Sequence, residues 1–90
     1  MIDRKKAIAA VGEQGVELYE KILGDIQKFE TVGSSGRIGG KLFITCKIRG
    51  KRSVYIEIYK DKVDVQLGEK PNRNMTYEDC IVELERFLGE

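Results

Sequence analysis

Three stretches between residues 41 and 67 alternate apolar and polar residues with a period of two, and they restrict what this chain can become. In "KLFITCKIR" the residues Leu42, Ile44, Cys46 and Ile48 share one parity; in "SVYIEIY" Val54, Ile56 and Ile58 do; in "KVDVQL" Val63, Val65 and Leu67 do. Successive side chains of an extended strand point to opposite faces, so each run presents one apolar side and one polar side. The linking segments "GKR" and "KD" are short enough for hairpins. The runs therefore form an antiparallel meander with one face to be covered and the other wet.

The flanking segments supply the cover. Asp3 can cap "RKKAIAAV", and beyond Gly12 and Gly15 the residues Leu18, Tyr19, Ile22, Leu23, Ile26 and Phe29 recur at helical spacing. An interior glycine costs about 1 kcal/mol against alanine, so a short helix, a break and a longer helix are expected. After "EKPNRN", read as a loop, "MTYEDCIVELERFLGE" restarts a helix. Thr76 with Asp79 resembles a capping box, and Tyr77, Cys80, Ile81, Leu84, Phe87 and Leu88 form an apolar stripe. The fold class is α+β: one two-layer domain over residues 1–90, with an N-terminal helical segment, a three-stranded antiparallel meander and a C-terminal helix. Both helical segments lie on one face of the sheet. A fourth strand follows if residues 31–40 add an edge hairpin.

Keeping the apolar residues on a common face constrains the pairing. The first hairpin is expected to set Ile48 opposite Val54, Cys46 opposite Ile56 and Ile44 opposite Ile58. The second is expected to set Ile58 opposite Val63, Ile56 opposite Val65 and Val54 opposite Leu67.

Composition narrows the function. Histidine is absent, and Cys46 and Cys80 stand far apart in the sequence, so neither a paired-cysteine redox motif nor a common structural zinc site can be written. The usual general base of serine and cysteine hydrolases is missing too. Both cysteines are expected in the core. No apolar run is long enough to span a bilayer, and "MIDRKKAIAAVG" lacks the apolar stretch and cleavage site of a signal peptide, which points to the cytoplasm.

The glycine-rich "VGSSGRIGGK" at 32–41 invites comparison with a phosphate-binding loop. A Walker loop would need glycine where Ser35 stands and a hydroxyl residue where Leu42 stands. It would also lead from a strand into a helix, whereas this stretch leaves a helix and enters a strand. The glycine spacing fits no dinucleotide fingerprint, and no cofactor is implied. The stretch reads as a connector or as an edge hairpin of "TVGSS" with "GRIGG". Its backbone N–H groups could still cup an anion, with Arg37 and Lys41 adding charge.

The outward residues of the meander mix rings and cations: Lys41, Phe43, Thr45, Lys47 and Arg49, then Ser53, Tyr55, Glu57 and Tyr59, then Lys62, Asp64 and Gln66. The expected register sets Phe43 against Tyr59, Lys47 against Tyr55 and Glu57 against Asp64. It also makes Lys47 and Lys62 the diagonal compensators of that like-charge pair. Residues 36–64 carry eight basic side chains against three acidic ones, and residues 76–90 one against five, so a net charge of +1 conceals a polar molecule.

These features point to a small non-enzymatic binding module for a negatively charged partner, nucleic acid first. Arg37, Lys41, Lys47, Arg49, Lys51 and Arg52 would meet phosphates, while Phe43, Tyr55 and Tyr59 would stack on bases. The alternative is a regulatory or inhibitory protein-interaction module, self-association included, that uses the same face. A third reading places a metal-dependent hydrolase at Glu57 and Asp64, although two ligands on a flat sheet make a poor cage.

Overall fold

A computed structural model describes residues 2–89, with the backbone alone of Lys70. Helix α1 (Arg4–Ile26) starts where the Asp3 carboxylate accepts hydrogen bonds from the backbone N–H groups of Lys5 and Lys6, at 3.0 and 3.2 Å. The expected break falls at Gly12, whose φ of 80° and ψ of 168° leave helical geometry for a region open essentially to glycine alone. Gly15 remains helical. The kink splits the helix into two segments, so that Ala7 and Val11 before it and Leu18, Ile22 and Ile26 after it are all buried.

Five strands follow: β1 (Thr31–Ile38), β2 (Lys41–Ile48), β3 (Ser53–Ile58), β4 (Val63–Leu67) and β5 (Lys70–Met75). They pair in chain order, each antiparallel to the next. Helix α2 (Tyr77–Gly89) closes the chain, with the Thr76 hydroxyl accepting from the Asp79 N–H at 3.0 Å. Helix α1 packs on β2 and β3, α2 packs on β4, and the helices touch each other over the same face of the sheet. The α+β two-layer class is therefore observed, with five strands instead of three or four. No helix among the described residues is long and apolar enough to cross a membrane.

Both additional strands correct the sequence reading. Residues 31–38 are neither a free connector nor a hairpin of their own; they form one edge strand paired along its whole length with β2. Thr31, Gly33, Ser35 and Arg37 lie opposite core-facing residues of β2, yet none is a large apolar residue, because α1 sits over β2 and β3 and leaves β1 largely uncovered. Ladder hydrogen bonds rather than burial hold this strand. At the other edge "KPNRNM" is β5, irregular at a register shift between Val63 and Val65 and at Asn74, whose φ is 57°.

The second hairpin has the expected register. The first is displaced by two residues: Leu42 faces Ile58, Ile44 faces Ile56 and Cys46 faces Val54. Ile48 does not face Val54. It pairs with Thr31 and begins a turn in which the Lys51 N–H donates to the Ile48 carbonyl at 2.9 Å. The Arg49 N–H is drawn the other way, to the Glu30 carbonyl at 2.9 Å. Parity survives a two-residue displacement, so the same residues reach the core.

That core contains Leu42, Ile44 and Ile48 of β2, Ile56 and Ile58 of β3 and Val63 of β4, roofed by Ile22 and Leu84. No polar or charged side chain is buried among the described residues. Cys46 and Cys80 are buried free thiols, as expected. Burial raises both thiol pKa values, that of Cys80 from 9.0 to about 11. In that interval the unfolded chain releases the Cys80 proton and the folded chain retains it, so stability present below about pH 9 declines as pH rises toward 11. Denaturant titrations of the wild type and Cys80→Ala are expected to converge in that window, the variant lacking this part of the decline. Parallel curves would show that the Cys80 thiol has the same pKa in the folded and the unfolded chain.

Candidate functional site

The sheet face opposite the helices can be read as rows of cross-strand neighbours. Val32, Lys47 and Ser53 form the first; Ser34, Thr45, Tyr55, Gln66 and Pro71 the second; Gly36, Phe43, Glu57 and Asp64 the third. Ile38 and Lys41 begin the fourth, which continues beyond β3 to Tyr59 and Lys62, joined by a 2.8 Å hydrogen bond from the Tyr59 N–H to the Lys62 carbonyl. Tyr55 is 43% exposed, whereas Phe43 and Tyr59 are half-buried. The aromatic residues thus stay on the wet side of the sheet, away from Ile56.

Their neighbours differ from those expected, because the first hairpin is displaced. Phe43 faces Glu57 instead of Tyr59, and Tyr55 faces Thr45 instead of Lys47. Lys47 faces Ser53 on one side and Val32 on the other. The Phe43 ring also leans over Gly36, close enough that a side chain there would touch it.

Glu57 and Asp64 do stand directly opposite each other. Lys47 and Lys62 are not what compensates them. Lys41 forms a salt bridge with Glu57, and that hydrogen bond raises the Lys41 pKa against a partial desolvation penalty. Asp64 accepts the backbone N–H of Asn74 at 2.9 Å, and Lys62 instead donates to the Asn74 side chain at 2.9 Å while lying 4.8 Å from the centre of the Tyr59 ring. Asn74, in the left-handed region, thus offers its backbone donor to Asp64 of β4 and its side-chain acceptor to Lys62 just before that strand. With both carboxylates engaged, and with no group of three or more histidine, cysteine, aspartate or glutamate residues gathered to hold an ion among the described residues, nothing here favours the metal-site reading.

Arg37 leaves the proposed surface. It faces Leu42, hence lies on the helix side of the sheet, and donates through Nη1 to the Gly39 carbonyl at 2.9 Å. The turn between β2 and β3 does bring Arg49, Lys51 and Arg52 together, but acidic residues stand beside it. Arg49 Nη1 lies 2.6 Å from Glu30 Oε2, and Arg52 Nη1 lies 3.9 Å from Glu69 Oε2. Such exposed pairs contribute little to stability, yet they lower the cationic field of the turn.

Three residues of this face were not among the candidates. Arg73 lines a shallow depression with Tyr55, Glu57, Asp64 and Gln66, which needs β5 to exist as a strand. Val32 and Ile38, 81% and 60% exposed, need β1 to be one strand. Their shared parity was the available sequence signal, diluted by the glycines and serines between them.

No family model matches the chain, and no curated protein and no solved structure does either.

Proposed function

We propose that the chain is a non-enzymatic, cytoplasmic binding module whose open sheet face docks on another protein. The observation that supports this reading is the state of the charges around the rings. Glu57 and Asp64 occupy the third row with Phe43, next to the row of Tyr55, where a phosphate backbone would meet two carboxylates. Lys41, Arg49 and Arg52 each already face an acidic partner. A protein surface with its own mixed charges accommodates such a face, and an exposed tyrosine beside an apolar ring is a common anchor at protein interfaces. Nucleic acid is the second reading. It draws on the row of Lys41, Tyr59 and Lys62 and on Lys47, which enters no ion pair among the described residues.

Salt and mutation separate the two. Immobilised wild-type protein is expected to retain a specific protein partner in about 0.5 M salt, where charge–charge contacts are screened within a few ångströms. Tyr55→Ser is expected to lose that partner without loss of fold. Retention by Tyr55→Ser equal to the wild type would remove the face from the interaction. The nucleic-acid reading instead requires a labelled single-stranded oligonucleotide to bind with an affinity that falls steeply with salt, and Lys47→Ala with Arg52→Ala to weaken binding and flatten that slope.

A further inference from the structure

The two edges of the sheet are built differently. Edge strand β5 carries Pro71, a register shift and a left-handed residue at Asn74, all of which discourage pairing with another strand. Edge strand β1 carries none of these; its single charged residue is Arg37.

The open donors and acceptors of β1 can be assigned. Glu30 and Arg49 continue the β1–β2 register, and the Arg49 N–H bonds to the Glu30 carbonyl. Hydrogen-bonded and non-hydrogen-bonded pairs alternate along an antiparallel ladder. Val32, Ser34, Gly36 and Ile38 therefore turn their backbone groups toward β2. Thr31, Gly33, Ser35 and Arg37 turn theirs outward, where no strand meets them.

We propose that this edge pairs with the same edge of a second copy, antiparallel and two-fold symmetric about Ser35, to form one continuous ten-stranded sheet. In this register Ser35 faces its own copy and Gly33 faces Arg37, so the outward N–H and C=O groups satisfy one another. Val32 of each copy then faces Ile38 of the other. The two most exposed large apolar residues of the described chain thereby become cross-strand partners. Moving the two-fold axis by one residue in either direction sets Val32 against a glycine. The two Arg37 side chains stay four residues apart along the strands, about 13 Å, beyond the screening length at physiological salt.

The helix layer leaves room for this seam. Between α1 and β1 runs an open groove of about 490 Å³, lined by Tyr19, Leu23, Gln27 and Ser35 among others. Pairing across the edge would join the grooves of both copies and shelter Leu23. The inference rests on the edge and not on the aromatic face, so it stands or falls independently of the docking function.

The experiment is sedimentation equilibrium of the purified chain between about 1 μM and 1 mM, with amide hydrogen exchange at both ends of the range. A monomer–dimer equilibrium is expected. The amides of Gly33, Ser35 and Arg37 should exchange more slowly at high concentration, while those of Val32, Ser34, Gly36 and Ile38 should not depend on concentration. Ser35→Pro removes an outward N–H at an edge position that tolerates proline, and is expected to be monomeric with its melting temperature retained. Val32→Lys, at an exposed position, should weaken association about tenfold. A wild type that is monomeric throughout the range would overturn the proposal. So would a dimer that persists in both variants, or one whose concentration-dependent amides lie outside β1.

Discussion

Gly33→Val is expected to lower stability by about 3 kcal/mol, at the upper end of what overpacking costs, and to reduce the melting temperature by about 12–20 °C. A Cβ at this position would collide with the Thr45 carbonyl oxygen and lie 2.5 Å from the Cys46 Cα. Both are backbone atoms of β2, so no rotamer change relieves the contact. Either β1 separates from β2 or β2 bends and disturbs Ile44 and Cys46 beneath it. Gly36→Val is the matched control: its Cβ would meet only the Phe43 ring, at 3.4 and 3.7 Å, and a half-exposed ring can yield. That substitution should stay within about 1 kcal/mol of the wild type. Thermal unfolding of both variants tests the contrast, and equal melting temperatures would refute the close approach of β1 to β2.

Ile56→Ala should cost about 4 kcal/mol and Ile56→Val about 1 kcal/mol, as read from urea midpoints at constant slope. Ile56 is fully buried in the central strand, flanked in register by Ile44 and Val65, and lies under the helix layer. A domain of this size has about 5–13 kcal/mol in all, so the alanine variant forfeits a large share. A loss for Ile56→Ala below about 1.5 kcal/mol would mean that the site collapses or admits water, contrary to a tightly filled core.

How much of this was legible in the sequence follows from what each residue is asked to do. Where burial selects the side chains the pattern is plain: Leu42, Ile44, Ile56 and Val63 announce both their strands and their common face, and Asp3 and Thr76 announce helix starts. Strand parity carries register information only modulo two. It therefore identified the core face correctly while placing Ile48 opposite Val54, and every supposed cross-strand pair between β2 and β3 on the wet face inherited that displacement. The deciding influence was remote, since pairing of Thr31 with Ile48 belongs to a strand that contributes almost nothing to the core. Segments held by backbone ladders alone, such as "TVGSSGRI" and "KPNRNM", carry no burial pattern and read as loops. With them went Val32, Ile38 and Arg73, the outer thirds of the candidate surface.

The chain-order meander also bears on how the molecule assembles. Each strand finds its partner in the segment just made, across a connection of a few residues, so the entropy lost in closing each loop is small and the sheet can zip progressively from any hairpin. The amino-terminal helix packs on strands downstream of it and the carboxy-terminal helix on a strand upstream, so each of these contacts closes a longer loop than any hairpin of the sheet does.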